Sequence, residues 1–121
     1  VRVAIVGNCA SGKTSVVRAL RWRGYEAWSV AQEHSVIPDL WERQDPDVVI
    51  YLDVSLDAVR FRRGNRSWPG WIYDAQRQRL QNARDHADLV IDTDQQNLGS
   101  VIDAIVGFLE RRGHERGAGA E

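Results

Sequence analysis

Gly7, Asn8, Cys9, Ala10, Ser11, Gly12, Lys13 and Thr14 are the residues whose types and order carry the most chemistry in this 121-residue chain. Gly7 and Gly12 allow backbone angles that turn successive N–H groups inward around an anion. A helix starting near Lys13 would aim its first N–H groups and its positive dipole end at the same place. Lys13 adds a point charge, and the Thr14 hydroxyl is an oxygen suited to Mg²⁺, which takes few protein ligands and keeps several waters. Glycine, four residues, then Gly-Lys-Ser/Thr is the spacing of a loop that cradles the phosphates of ATP or GTP. The expected contacts run from Gly7 through Ser15. Cys9 lies within the loop. A thiol near a helix N-terminus can have a lowered pKa, but the simpler reading is a small residue whose backbone faces the phosphates.

The basic residues sharpen this. Of 16 lysines and arginines, Lys13 alone is lysine. A drift toward arginine explains the other positions but not this one. An ammonium is a compact charge that a tight loop can hold, whereas a guanidinium is a wide planar fork.

A loop of this kind needs an acid to hold Mg²⁺ through water or to orient a nucleophile. Asp53 closes the apolar run Val48-Val49-Ile50-Tyr51-Leu52, the pattern of a Walker B strand. Glu33 follows the run Trp28 to Ala31. Both stand where carboxyl ends of strands bind ligands in open α/β sheets. Each has a plainer reading: Asp53 can help start the next helix, and Glu33 can be a solvated loop acid. Arg60, Arg62, Arg63 and Arg66 follow the third strand, and arginines stabilise charge on a transferring phosphoryl group. Arg60 and Arg63 lie three apart and share a helix face. The plainer reading of the group is a solvated basic face. The loop 64–70 with Trp68, and Trp71 after it, reads either as a lid over the phosphates or as anchors packed on the domain.

The elements that must position these residues alternate. Residues 1–6, 25–31, 48–52 and 89–91 read as strands. Residues 14–23, 55–63, 71–87 and 100–112 read as helices, with a short one over 39–44. Ser55 is placed to cap its helix, and Gly64 to end it. The pattern predicts one α/β domain over 1–112, with a mostly parallel sheet of about four strands, residues 1–6 in its interior and helices on both faces. A Gly- and Ala-rich tail over 113–121 is expected to be disordered. Net charge is −1, which calls for neither nucleic acid nor membrane as partner. One cysteine, no long apolar run and no signal-peptide pattern at the start fit a cytoplasmic protein.

The order of parts resembles the P-loop NTPase superfamily, and within it small-molecule and nucleotide kinases of the nucleoside, shikimate and gluconate kinase type. The resemblance rests on Gly7 to Thr14, on Asp47 to Val54 followed by Arg60 and Arg63, and on Arg79-Leu80 with Ala87 to Thr93. It implies a three-layer αβα fold and an arginine lid over ATP. It also implies Glu33 rather than Asp53 as the functional acid, and Asp92 to Asp94 near the adenine. The chain departs from these families between its second and third strands. Only about 16 residues, Gln32 to Asp47, stand where they insert an acceptor-binding segment.

The expected function is transfer of the ATP γ-phosphoryl group to an unidentified small molecule. Lys13, Glu33, Arg60 and Arg63 would be catalytic, and Thr14, Glu33 and Asp53 are the candidate Mg²⁺ ligands. The alternative is a nucleotide-binding module or slow NTPase that regulates a partner protein through Trp22, Trp41, Trp68 and Trp71, a residue type enriched in binding hot spots.

Overall fold

A computed structural model describes residues 1–120, with side chains through residue 113. β1 (Arg2–Gly7), β2 (Glu26–Ser29), β3 (Val48–Asp53) and β4 (Leu89–Asp92) form one sheet in the order β2-β1-β3-β4. Every pairing is parallel. β1 and β3 are buried on both faces, which is why they read as unbroken apolar runs.

The helices are α1 (Lys13–Trp22), α2 (Leu56–Arg63), α3 (Gly70–His86) and α4 (Leu98–Ala120). Val16, Val17 and Leu20 of α1 and Val101, Ile105 and Leu109 of α4 pack on Val3, Ile5, Val48, Ile50, Leu52 and Ile91. Leu80 and Ala83 of α3 pack with Val30 and Trp41 on the opposite face, against Ala4, Val6, Val49 and Tyr51. The alternation of these strand residues splits the core into two halves, one per face.

Local signals fixed most boundaries. Ser55 caps α2, its side chain accepting from the Ala58 N–H at 3.1 Å. Gly64 ends α2 with φ 65°, a left-handed angle that suits glycine. The short helix expected over 39–44 is a single 3-10 turn, Leu40–Glu42, and a second such turn covers Gln32–His34. α4 starts two residues before Ser100 and continues through the segment expected as a disordered tail, as far as Ala120; Glu121 lies outside the described residues. No proline interrupts that stretch, so each added residue extends the helix by one hydrogen bond.

β1 leads through α1 to β2 on one side, and β3 lies on β1's other side. The order therefore reverses beside β1, and the crevice at the carboxyl ends of β1 and β3 is the natural ligand position in such a sheet. The loop 7–12 leaves β1 at that point.

Candidate functional site

The loop is built by close approach. A side chain at Gly7 would bring a Cβ within 2.6 Å of the Leu52 carbonyl oxygen and 2.7 Å of Ser11 Oγ, so only glycine fits. Gly12 takes φ 99° and Ala10 φ 62°, and the Ser11 N–H donates to the Asn8 carbonyl at 3.2 Å. α1 begins directly after. Its N-cap, Gly12, offers no side-chain acceptor, and the first helical hydrogen bond runs from Val16 to Gly12 at 3.0 Å. The first N–H groups of α1 have no partner within the helix and stand at its positive end.

Lys13 folds back over this loop. Its ammonium donates to the carbonyls of Gly7 at 2.8 Å and Asn8 at 3.0 Å, and to Glu33 Oε2. The ion pair is sheltered: the side chains are 13% and 4% exposed. Thr14 and Ser15 follow on the first turn, with Thr14 exposed. Glu33 reaches Lys13 from the 3-10 turn after β2. Its other oxygen, Oε1, is buried with no hydrogen-bond partner, as are Asn8 Oδ1 and Ser11 Oγ.

Asp53 has a different setting. It pairs with Arg77 at 2.5 Å and Arg84 at 3.6 Å, both on α3. The two candidate acids are therefore separated by their partners: Glu33 is tied to the loop lysine, Asp53 to the arginines of α3. Burial pushes the Tyr51 and Tyr73 phenols above their ordinary pKa, against the opposing pull of Arg77.

Arg60 and Arg63 turn toward the loop that follows α2. Arg60 Nε donates to the Trp68 carbonyl at 2.9 Å, and the Arg63 guanidinium lies 5.2 Å from the centre of the Trp68 ring. Trp68 is buried with Val54 and Val59 in a cluster that Cys9 and Ala10 also touch. Trp71 is 73% exposed. Of the tryptophan alternatives left open by sequence, Trp68 is an anchor.

Two residues hold the loop: Arg62, which the sequence offered only as one of the arginines after β3, and Gln76, which sequence reasoning missed. Arg62 donates to the Ala10 carbonyl at 2.9 Å and to the Thr93 carbonyl at 2.8 Å and hydroxyl at 3.2 Å. Gln76, 2% exposed on α3, accepts from the Cys9 N–H at 3.2 Å and Asn8 Nδ2 at 3.3 Å. Gln76 was detectable as the polar member of the stripe Ile72, Gln76, Leu80, Ala83. Arg62 stood in the group with Arg60, Arg63 and Arg66, and nothing in the sequence set it apart from them.

A cavity of about 310 Å³ opens beside the loop, lined by Ser11, Gly12, Ser15, Arg62, Thr93 and Gln96 among others. Chemically, the start of α1 offers unpaired helix N–H groups, the Lys13 ammonium paired with the buried Glu33 carboxylate, and the exposed Thr14 hydroxyl on the first turn. That set can hold a polyanion with a divalent cation. Among the described residues no three His, Cys, Asp or Glu side chains cluster as a metal site, and none of the helices is long and apolar enough to cross a membrane.

No family model, curated protein or solved structure matches the chain.

Proposed function

We propose that the chain is a minimal P-loop kinase-like protein that binds ATP with Mg²⁺ on residues 7–15 and transfers the γ-phosphoryl group to a small acceptor. The observation that carries this reading is Lys13 folded over its own loop at the start of α1, with its ammonium at the Gly7 and Asn8 carbonyls. Such a cradle favours a phosphate chain over other anions because it spreads many donors along a curved path.

The residues present fit Mg²⁺. Thr14 supplies an exposed hydroxyl at the start of α1, and Glu33 supplies a buried oxygen, Oε1, that has no partner. Asp53 fits less well, because two arginines already hold it. A divalent cation held by Thr14 and Glu33 would supply positive charge against the charge that develops on the phosphates. Lys13 holds the β- and γ-phosphates. Arg62 and Gln76 keep the loop in shape from either side.

In the transfer an acceptor oxygen forms a bond to the γ-phosphorus. The bond from that phosphorus to the β–γ bridging oxygen breaks, ADP leaves with the electron pair, and the acceptor proton passes to solvent. The stretch from Gln32 to Trp41 is clamped to α3 through Gln32, so it builds no separate acceptor lobe. This suits a small acceptor.

Trp22, 91% exposed on the helix that leaves the loop, favours a second reading: a nucleotide-binding module or slow NTPase whose bound state a partner protein reads. Incubating the protein with ATP·Mg²⁺ and a panel of nucleosides, sugars and small acids separates the two. A phosphorylated product supports the kinase. Nucleotide binding with slow hydrolysis and no product supports the module.

A further inference from the structure

We propose that Glu33 makes the loop selective for metal-complexed over metal-free nucleoside triphosphate, by retaining Lys13 until a divalent cation takes over as its counter-ion. The inference rests on the nucleotide reading above and assigns Glu33 a role that ligating a metal does not by itself entail.

An ammonium has three N–H donors. Lys13 uses them on Gly7, Asn8 and Glu33. To reach a phosphate it must release one, and the two carbonyls belong to the loop that would wrap the same phosphates. The bond to Glu33 is the one to give way.

The backbone that carries Glu33 is held in place. Its 3-10 turn is anchored by Gln32, which is fully buried. Gln32 Nε2 donates to the carbonyls of Ile37 at 2.6 Å and Arg79 at 3.2 Å, and Gln32 Oε1 accepts from the Trp41 N–H at 2.9 Å. Arg79 Nη1 holds the Glu33 carbonyl itself at 3.2 Å. The backbone of Glu33 is thus fixed, its side chain is 4% exposed, and its Oε1 already lacks a partner.

Drawing Lys13 away therefore leaves a sheltered carboxylate without its ion-pair partner. Removing one member of a buried pair is costly because the remaining charge is uncompensated. A metal-free polyphosphate adds further negative charge beside it. A divalent cation bound with the phosphates would supply the missing positive charge, so the cost falls only on the metal-free ligand.

The test is calorimetric titration of ATP into wild type and Glu33→Gln, each with Mg²⁺ and with EDTA. Glutamine keeps the size of the side chain and removes its charge. In EDTA, Glu33→Gln should bind ATP about tenfold tighter than wild type or more, and the preference for Mg²⁺ should shrink accordingly. A Glu33 that only ligates metal gives another pattern: weaker binding in the Mg²⁺ arm and no change in EDTA. That pattern, or weaker binding in EDTA, overturns the proposal while leaving the nucleotide reading intact. Wild type binding ATP equally in both arms overturns it too, and this arm needs no variant to fold. No binding by wild type in either arm removes the nucleotide reading and this inference with it.

Discussion

Arg62 and Thr93 join two parts of the site that are 31 residues apart in sequence: one guanidinium nitrogen bonds the Thr93 hydroxyl and the Ala10 carbonyl, and the other bonds the Thr93 carbonyl. The loop after β1 is thus fastened to the turn after β4 by a side chain from α2. The cavity beside the loop is bounded by these same groups. Arg62→Ala should weaken ATP·Mg²⁺ binding by about tenfold, or about 1.4 kcal/mol. The loss of stability should be smaller, about 1 kcal/mol, since the side chain is partly solvated. Calorimetry and urea unfolding read the two effects separately. Unchanged affinity would reduce Arg62 to a structural tie.

Gln76→Ala acts from the other side of the loop. It removes the acceptor of the Cys9 N–H and of Asn8 Nδ2 in a buried setting. Leaving buried donors unpaired costs about 1–3 kcal/mol, and the midpoint of urea unfolding should fall accordingly. Nucleotide affinity should fall too, because the loop loses its fixed curvature. An unfolding midpoint equal to wild type would show that solvent replaces the amide without cost.

These two residues also mark where sequence reading stops. The strand, loop and helix over 1–22 were legible because each is local: an apolar run, glycines at required turns, an amphipathic repeat. The Ser55 cap and the Gly64 stop were legible for the same reason. Arg62 and Gln76 act on residues 52 and 67 positions away, and no local pattern encodes such a distance. The arginine pair shows the same limit. Arg60 and Arg63 do share a direction, as their spacing implies, but that direction is toward Trp68. Arg62 projects elsewhere on α2 and meets the loop.

The two acids should behave differently. Glu33→Gln should keep the fold and lose turnover. Asp53→Asn should keep turnover and lose about 1 kcal/mol of stability, because Arg77 and Arg84 lose their shared, partly exposed counter-charge. Product formation and thermal unfolding of both variants check this. The reverse result, turnover lost only in Asp53→Asn, would move the catalytic acid to β3.

Alkaline pH should expose Tyr51. Its hydroxyl is buried without a partner and its pKa is raised by burial. A phenol that resists ionisation in the folded state contributes its full stability below the unfolded pKa of about 10. The contribution is lost as pH rises from there through the folded pKa, because the unfolded chain releases its proton first. Tyr51→Phe should be within about 1 kcal/mol of wild type at pH 7, where it removes an unpaired polar group. Above pH 10 its stability should decline less steeply than that of wild type. Equal alkaline slopes for the two proteins, in urea titrations from pH 8 to 11 (an order-of-magnitude span about the phenol's usual value), would contradict this.

The central claim is that Lys13 holds nucleotide phosphates over the loop 7–14, and Lys13→Ala tests it most directly. Titration with ATP·Mg²⁺ should show wild type binding and the variant binding at least ~100-fold more weakly, a loss in the range for removing one partner of a sheltered charge contact. Lys13→Arg should not restore binding, because the planar fork is too wide for the position. Thermal unfolding must be followed alongside, since the substitution also strips Glu33 of its partner. A folded Lys13→Ala protein with unchanged ATP·Mg²⁺ affinity would contradict the account.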